Sequence, residues 1–364
     1  MTADPMRKQP VFITRKFPPS IGGMETLAAS VWRSMLTSYP QAHKISYGGA
    51  NIGLLWWLPL CLLRVTWLCA TRRVEYALCG DALMNAACAP VLRLFGVPRS
   101  TMVMGLDITF DNALYRALAH PPLRSARCVI AISAATRDAA IADAAVDPAR
   151  IEVVRLGVPD PGIDGHALAA ARELLRQDLG LGTQDVMVVA LGRLVRRKGV
   201  RWFVENVLPK LPETVHFVVG GSGPESEAIA TAADSAGVRT RVHLLGGVSD
   251  EVRDRLMAGA DVFVQPNIAV PGDMEGFGLV AVEAALRDTT VLAADLEGLR
   301  DAVQDGETGI LLPSGDADAW ARTLTDLIAR PADLELQGRR LGACARETYS
   351  ERAMGAALVQ ILTA

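Results

Sequence analysis

Two glutamates eight positions apart, Glu275 and Glu283 in DMEGFGLVAVEAAL (273–286), are the first residues here whose type and spacing suggest chemistry. A hydrolytic pair needs carboxyl groups roughly 5–9.5 Å apart. Eight residues of helix rise about 12 Å, too far for a water or a covalent intermediate between them. That spacing suits a ligand with hydroxyls at both ends, such as a sugar joined through a diphosphate to a ribose. Between the carboxylates, the backbone N–H groups of Gly276, Phe277, Gly278 and Leu279 stand at an expected helix start, where phosphate is favoured. The competing reading is two ordinary surface glutamates, which the intervening Gly-Phe-Gly turn disfavours.

A second cluster is ALGRLVRRKG, with Arg193 just past an apolar run and Lys198 five residues on. A guanidinium fork and a mobile ammonium at one sheet edge suit a diphosphate; solvated cations are the alternative. VVGGSGPE (218–225) follows another apolar run and lets backbone approach a ligand, although glycine serves any tight strand-to-helix turn equally well. The one Asp-x-Asp, Asp316 to Asp318, follows Pro-Ser-Gly and reads as a helix cap, not a metal site.

These residues must be positioned by a scaffold, and the apolar pattern describes one. At 364 residues with half of them hydrophobic, the chain is long enough for two cores. Apolar runs at 11–14, 75–80, 100–105 and 128–133 alternate with helical patterns. IEVVRLGVPDPGIDG then leads from a strand into a Gly/Pro-rich boundary near 158–165. The alternation restarts at 185–192, 215–221, 242–247, 261–267, 290–295 and 309–313. Strands alternating with helices predict two doubly wound, Rossmann-like α/β domains, 1–160 and 161–364, facing each other across a cleft. A final helix near 350–362 can pack on either.

Residues 1–160 hold 17 Lys and Arg against 11 Asp and Glu, a surplus of six; residues 161–364 hold 20 against 29. This asymmetry suggests that only the first half meets an anionic surface. IGLLWWLPLCLLRVTWLCA (52–70) is interrupted by Pro59 and Arg64, so it does not span a membrane. Its tryptophans beside Arg64, Arg72 and Arg73 fit an interfacial helix; a helix buried between sheet and surface fits as well. Six cysteines without a C-x-x-C pair read as reduced thiols of a cytoplasmic protein, and the polar first residues show no cleavable leader. Neither glycine loop has the G-x-G-x-x-G spacing of a dinucleotide site, and the basic surplus lacks the aromatic interleaving of a nucleic-acid module.

Taken together, EGFGLVAVE, FPPSIGGMET, AISAATRDAAI, IEVVRLGV, GRLVRRKG, GGSGPE, LLGGVSDE and DGETGILLPSGD resemble, in order and spacing, the family 4 glycosyltransferases. These are retaining enzymes of the GT-B fold with an E-x7-E motif, and the likeness covers nearly the whole chain. It implies hexose transfer from a UDP- or GDP-sugar to a hydroxyl acceptor, with no metal and no cofactor beyond the donor. By the same resemblance Arg193 and Lys198 grip the diphosphate, Glu283 the ribose and Glu275 the transferred sugar. Gly22 and Gly23 let a loop close over the phosphates, and the backbone at Gly247 and Val248 faces the base. Many members carry His-Gly where this chain has Met104-Gly105, so the histidine's contact to the sugar is dispensed with or falls to a neighbour such as Asp107. A catalytically silent sugar-nucleotide-binding subunit and a sugar-nucleotide epimerase of the same fold are the alternatives. The acceptor expected is a glycan or lipid-linked hydroxyl, reached peripherally at the inner face of the cytoplasmic membrane.

Overall fold

The computed structural model describes residues 8–20, 22–162 and 165–363. The polar residues 1–7, and positions 163–164 of the expected boundary, lie outside the described residues. The chain forms two compact units. The first runs to Pro159 and includes Gly272–Phe277 and the chain from Tyr349 onward; the second comprises Asp160–Pro271 and Gly278–Thr348.

In the first unit the order is β1 (Gln9–Thr14), α1 (Gly23–Ser38), β2 (His43–Ser46), α2 (Leu54–Ala70), β3 (Val74–Cys79), α3 (Ala82–Leu94) and β4 (Arg99–Val103). It continues with α4 (Leu106–Thr109), α5 (Ala113–Arg124), β5 (Cys128–Ala131), α6 (Ala134–Ala142) and β6 (Ile151–Val153). The strands pair in the order β2-β1-β3-β4-β5-β6, all parallel. Strands buried on both faces need near-continuous apolar runs, and VFIT and YALC supply them. β2 has no counterpart among the apolar runs, because HKIS at the sheet edge has one buried residue in four.

The second unit runs α7 (Gly165–Asp178), β7 (Val186–Leu191), α8 (Val200–Asn206), β8 (Val215–Gly220), α9 (Ser226–Ser235), β9 (Val242–Leu244), α10 (Asp250–Gly259) and β10 (Val262–Gln265). Then come α11 (Leu279–Ala285), β11 (Thr290–Ala294), α12 (Leu299–Ala302), β12 (Ile310–Leu312), α13 (Ala317–Ile328) and α14 (Pro331–Thr348). Its sheet, also parallel, has the order β12-β11-β10-β7-β8-β9. In both sheets the order reverses beside the first strand, between β1 and β3 and between β7 and β10. Doubly wound folds bind ligands at such switch points.

The last helix, α15 (Glu351–Thr363), packs on α1 of the first unit. Arg33 pairs with Glu351 at 2.6 Å, the Ser34 hydroxyl donates to the Glu351 carbonyl, and Val158 N–H donates to the Tyr349 carbonyl. Met354, Leu358 and Leu362 are buried. Truncating a buried leucine costs its transfer energy plus a cavity term. Leu358→Ala is therefore expected to lower unfolding free energy by about 2–5 kcal/mol, read by urea denaturation; an unchanged midpoint would contradict this docking.

Candidate active site

In the second unit the expected residues gather where strands end. Arg193 lies exposed just beyond β7, and Lys198 closes a short 3-10 turn, Arg196–Lys198, half-buried. This loop stands at the β7/β10 switch point. It is held by backbone: Leu194 N–H donates to the Ser222 carbonyl, and Glu225 N–H to the Leu194 carbonyl. The turn of GGSGPE thus approaches its neighbouring loop. At Gly221, with φ +136, a Cβ would overlap the Gly192 carbonyl oxygen. Glycine there lets the two loops pack together, the tight-turn role that was the alternative to approach by a ligand.

Gly247 and Val248 follow β9 and lie beside that turn. Gly221 N–H donates to the Gly246 carbonyl at 2.7 Å, and the Val248 side chain lies near Gly220. Ser249 then caps α10 by accepting from Val252 N–H. One turn further, Arg253 forms an ion pair with the buried Glu283 carboxylate. Arg287 donates to the Glu283 carbonyl at 2.8 Å and pairs with Asp254 at 2.6 Å. Arg253 therefore holds the Glu283 carboxylate, and Arg287 holds its backbone carbonyl. Sequence reasoning missed Arg253; the available signal was a cation one turn into the helix after LLGGVSDE.

The two glutamates fall in different units. α11 begins only at Leu279, capped by Gly278 at φ 104, so Glu275, Gly276 and Phe277 are not helical. The helical rise of about 12 Å between the carboxylates does not apply. Glu275 is buried in Gly272–Phe277, the stretch belonging to the first unit. Thr136 Oγ1 lies 3.4 Å from the Gly276 carbonyl, and the Phe277 ring meets Tyr349 edge-on at 6.1 Å. A Cβ at Gly276 would overlap the Met104 carbonyl oxygen, so only glycine lets these two segments touch.

Within the first unit, the Met104–Gly105 loop depends on Asp107. This buried carboxylate accepts from Met104 N–H at 2.7 Å and Ala82 N–H at 3.2 Å. Both oxygens of Asp107, the neighbour named for the histidine's sugar contact, thus accept from backbone N–H groups. Burial foremost, then the nearby Asp81, push its pKa up to about 6. Asp81 caps α3 and pairs with Arg15 at 2.9 Å, at the β1/β3 switch point. Gly22 precedes Gly23, the first residue of α1, and a Cβ at Gly22 would meet the buried Glu25 carboxylate, which pairs with Lys16 at 3.4 Å. Asp316 caps α13 by accepting from Ala319 N–H, while Asp318 pairs with Lys210.

The folded-state pKa of Asp107 lies above its unfolded value. The native state keeps that proton longer as pH rises, so this contribution to stability falls between about pH 4 and pH 6 and is flat above. The loss amounts to roughly 3 kcal/mol at 1.36 kcal/mol per unit. Asp107→Asn cannot ionise, so the stability gap between wild type and variant should narrow or invert across that window. A gap independent of pH would remove the assignment.

Residues 185–330 match the family described as Glycosyl transferases group 1. The chain is 34% identical over 212 residues to a GDP-mannose-dependent alpha-(1-6)-phosphatidylinositol monomannoside mannosyltransferase of Mycolicibacterium smegmatis, covering 56% of this chain and 55% of the relative. It is 35% identical over 200 residues to the D-inositol 3-phosphate glycosyltransferase of Mycobacterium avium, covering 54% and 46%. The matches thus span about half the length of these curated relatives. The Anabaena protein HepE, solved with UDP and glucose, shares the fold at TM-score 0.77 and 18% identity, over 98% of this chain and 100% of that one. Sucrose-phosphate synthase from Thermosynechococcus elongatus does so at TM-score 0.75 and 19% identity, over 98% of each chain.

Proposed function

We propose that this chain, whose residues 185–330 form a glycosyl transferases group 1 domain on a GT-B fold, moves a hexose from a nucleoside diphosphate sugar to a hydroxyl acceptor, with retention and without a divalent metal. The observation that carries the reading is the buried, arginine-oriented Glu283 in the same unit as the Arg193–Lys198 loop at the β7/β10 switch point. Glu283 accepts the ribose hydroxyls. Arg193 and Lys198 take the charge that builds on the diphosphate as the anomeric C–O bond breaks. The acceptor oxygen bonds to the anomeric carbon on the face the diphosphate leaves, and its proton passes to the leaving phosphate. Glu275 and the Met104–Gly105 loop belong to the sugar and acceptor side.

The relative from M. smegmatis, named for GDP-mannose and a phosphatidylinositol mannoside, favours a lipid-linked acceptor. HepE, solved with UDP and glucose, keeps the base open between guanine and uracil. With such an acceptor the protein works peripherally at the inner face of the cytoplasmic membrane. A panel of UDP- and GDP-sugars separates the donors by thermal shift, since a ligand at 100 times its Kd adds about 2.7 kcal/mol of stability. Nucleoside diphosphate released only when acceptor is present separates a transferase from an epimerase or a silent subunit.

Charged hydrogen bonds contribute about 1.5–3 kcal/mol. Glu283→Ala is thus expected to weaken free nucleoside diphosphate binding by roughly 10- to 150-fold, measured by calorimetry; unchanged affinity would exclude the ribose role.

Charge stabilisation on the leaving group is larger in the transition state than in the ground state. Arg193→Gln or Lys198→Gln should lower turnover more than it raises the donor KM, and wild-type transfer should persist in excess chelator. Activity lost to chelator and restored by magnesium would contradict the metal-free mechanism.

A further inference from the structure

The exposed apolar surface of the first unit extends beyond α2. Right-handed crossovers place α1 on one face of this sheet and α2, α3, α5 and α6 together on the other; α6 carries Arg137 and Asp138, which pair with each other. There α2 packs on α3 and α3 on α5. Inward, Cys61, Val65 and Leu68 of α2 join Met84, Cys88 and Leu92 of α3 in one core, and Ala119 and Leu123 of α5 join its neighbour.

Outward, the layer stays apolar. Trp56 is 82% exposed, Leu55 75% and Leu63 67%, with Leu60 and Trp67 along the same stripe of α2. On α3, Leu94 is 80% exposed, and Pro90 is exposed too. On α5, Leu114 and Leu118 are exposed, and Leu106 and Phe110 are exposed in the stretch before it. A helix apolar on all sides is normally buried all round; α2 is covered on one side only. Among the described residues no helix is long and apolar enough to cross a membrane.

Charge identifies the occupant. α2, α3 and α5, of 17, 13 and 12 residues, contain no aspartate or glutamate and carry Arg64, Arg93, Arg116 and Arg124. Arg116 pairs with Asp111 at the approach to α5. Arg72 and Arg73 follow α2, and Arg73 stacks on Trp67 at 4.8 Å. A second copy meeting this face about a two-fold axis would set arginines against arginines with no carboxylate in the three helices to answer them. Tryptophan and leucine rimmed by arginine match the headgroup layer of an anionic bilayer.

We propose that the outward face of α2, α3 and α5 is a single docking surface for an anionic phospholipid bilayer, its apolar side chains resting at the headgroup level. The inference stands on this unit alone and does not need the transferase reading.

The test is co-sedimentation of the full chain with phosphatidylcholine vesicles, with and without 30 mol% phosphatidylglycerol (about one lipid in three, enough to set an anionic surface potential). Binding is expected to the anionic vesicles and to weaken at high salt. Each arginine near such a surface is worth about fivefold in partition, so Arg64→Gln with Arg72→Gln should lower it roughly 25-fold. Leu60→Ser with Leu63→Ser, and separately Leu114→Ser with Leu118→Ser, should each lower partition at least tenfold. Melting temperature and nucleoside diphosphate binding should not change, because these side chains are exposed. Absence of binding to anionic vesicles, or normal binding by the α2 pair, would overturn the proposal. Normal binding by the α5 pair would overturn the three-helix surface. A concentration-dependent dimer abolished by the leucine variants would make a second copy the occupant and overturn it as well. Vesicle binding without nucleotide binding would leave the docking surface standing and sink the transferase reading.

Discussion

Parallel strands cannot be joined by hairpins, and this constraint organises both units. Every strand must be followed by a crossover that returns the chain to the same starting edge. All carboxyl ends therefore fall together, and whatever follows a strand is delivered there. Arg193 and Lys198 after β7, Gly221 after β8, Gly247 and Val248 after β9 share one edge for this reason. In the first unit the same rule brings Arg15, Asp81 and the Met104–Gly105 loop to one edge. Glycines at these ends allow strand-end loops to lie against one another, as Gly221 does on Gly192.

Buried charge is handled differently in the two units. Glu283 keeps a carboxylate inside by pairing with Arg253 and being braced by Arg287. Such a pair adds little net stability, but removing one partner would leave a desolvated charge. What it supplies is a carboxylate held in one orientation, which binding two neighbouring hydroxyls requires. For Asp107 the cation of Arg15 is the weakest influence. Asp107 relies on two backbone N–H groups, and burial raises its pKa accordingly. Its work is to hold the Met104 amide, and so the carbonyl against which Gly276 packs.

The first unit also divides its apolar residues between two duties. The inner sides of α2, α3 and α5 close the core over the sheet, which explains the half-apolar composition. Their outer sides do not contribute to that core, and their lack of carboxylates is a property of surface, not of folding. Five of the cysteines are buried within this same unit, while Cys344 is exposed; all six are free thiols.

Strand alternation, helix caps and the two-sheet architecture were legible in the sequence, because each depends on residues close along the chain. Among the described residues, apolar runs bounded by glycine and proline marked eleven of the twelve strands, and HKIS, half-exposed at an edge, carried no such run. The cap at Asp316 and the cations of GRLVRRKG were equally local, and the ordered motifs pointed to the family. Tertiary structure alone decided the rest. Eight residues of spacing looked like helix, yet the first three of the E-x7-E stretch leave the second unit, because Gly276 is pressed on Met104, 172 positions earlier. Arg253 became the partner of Glu283 only when β10 placed α10 beside α11. The exposure of α2 could not be read from LLWWLPLCLL, since a helix apolar all round has the same sequence whether both sides are covered or one. Periodicity reports which residues share a face; what lies against that face is settled by elements distant in sequence.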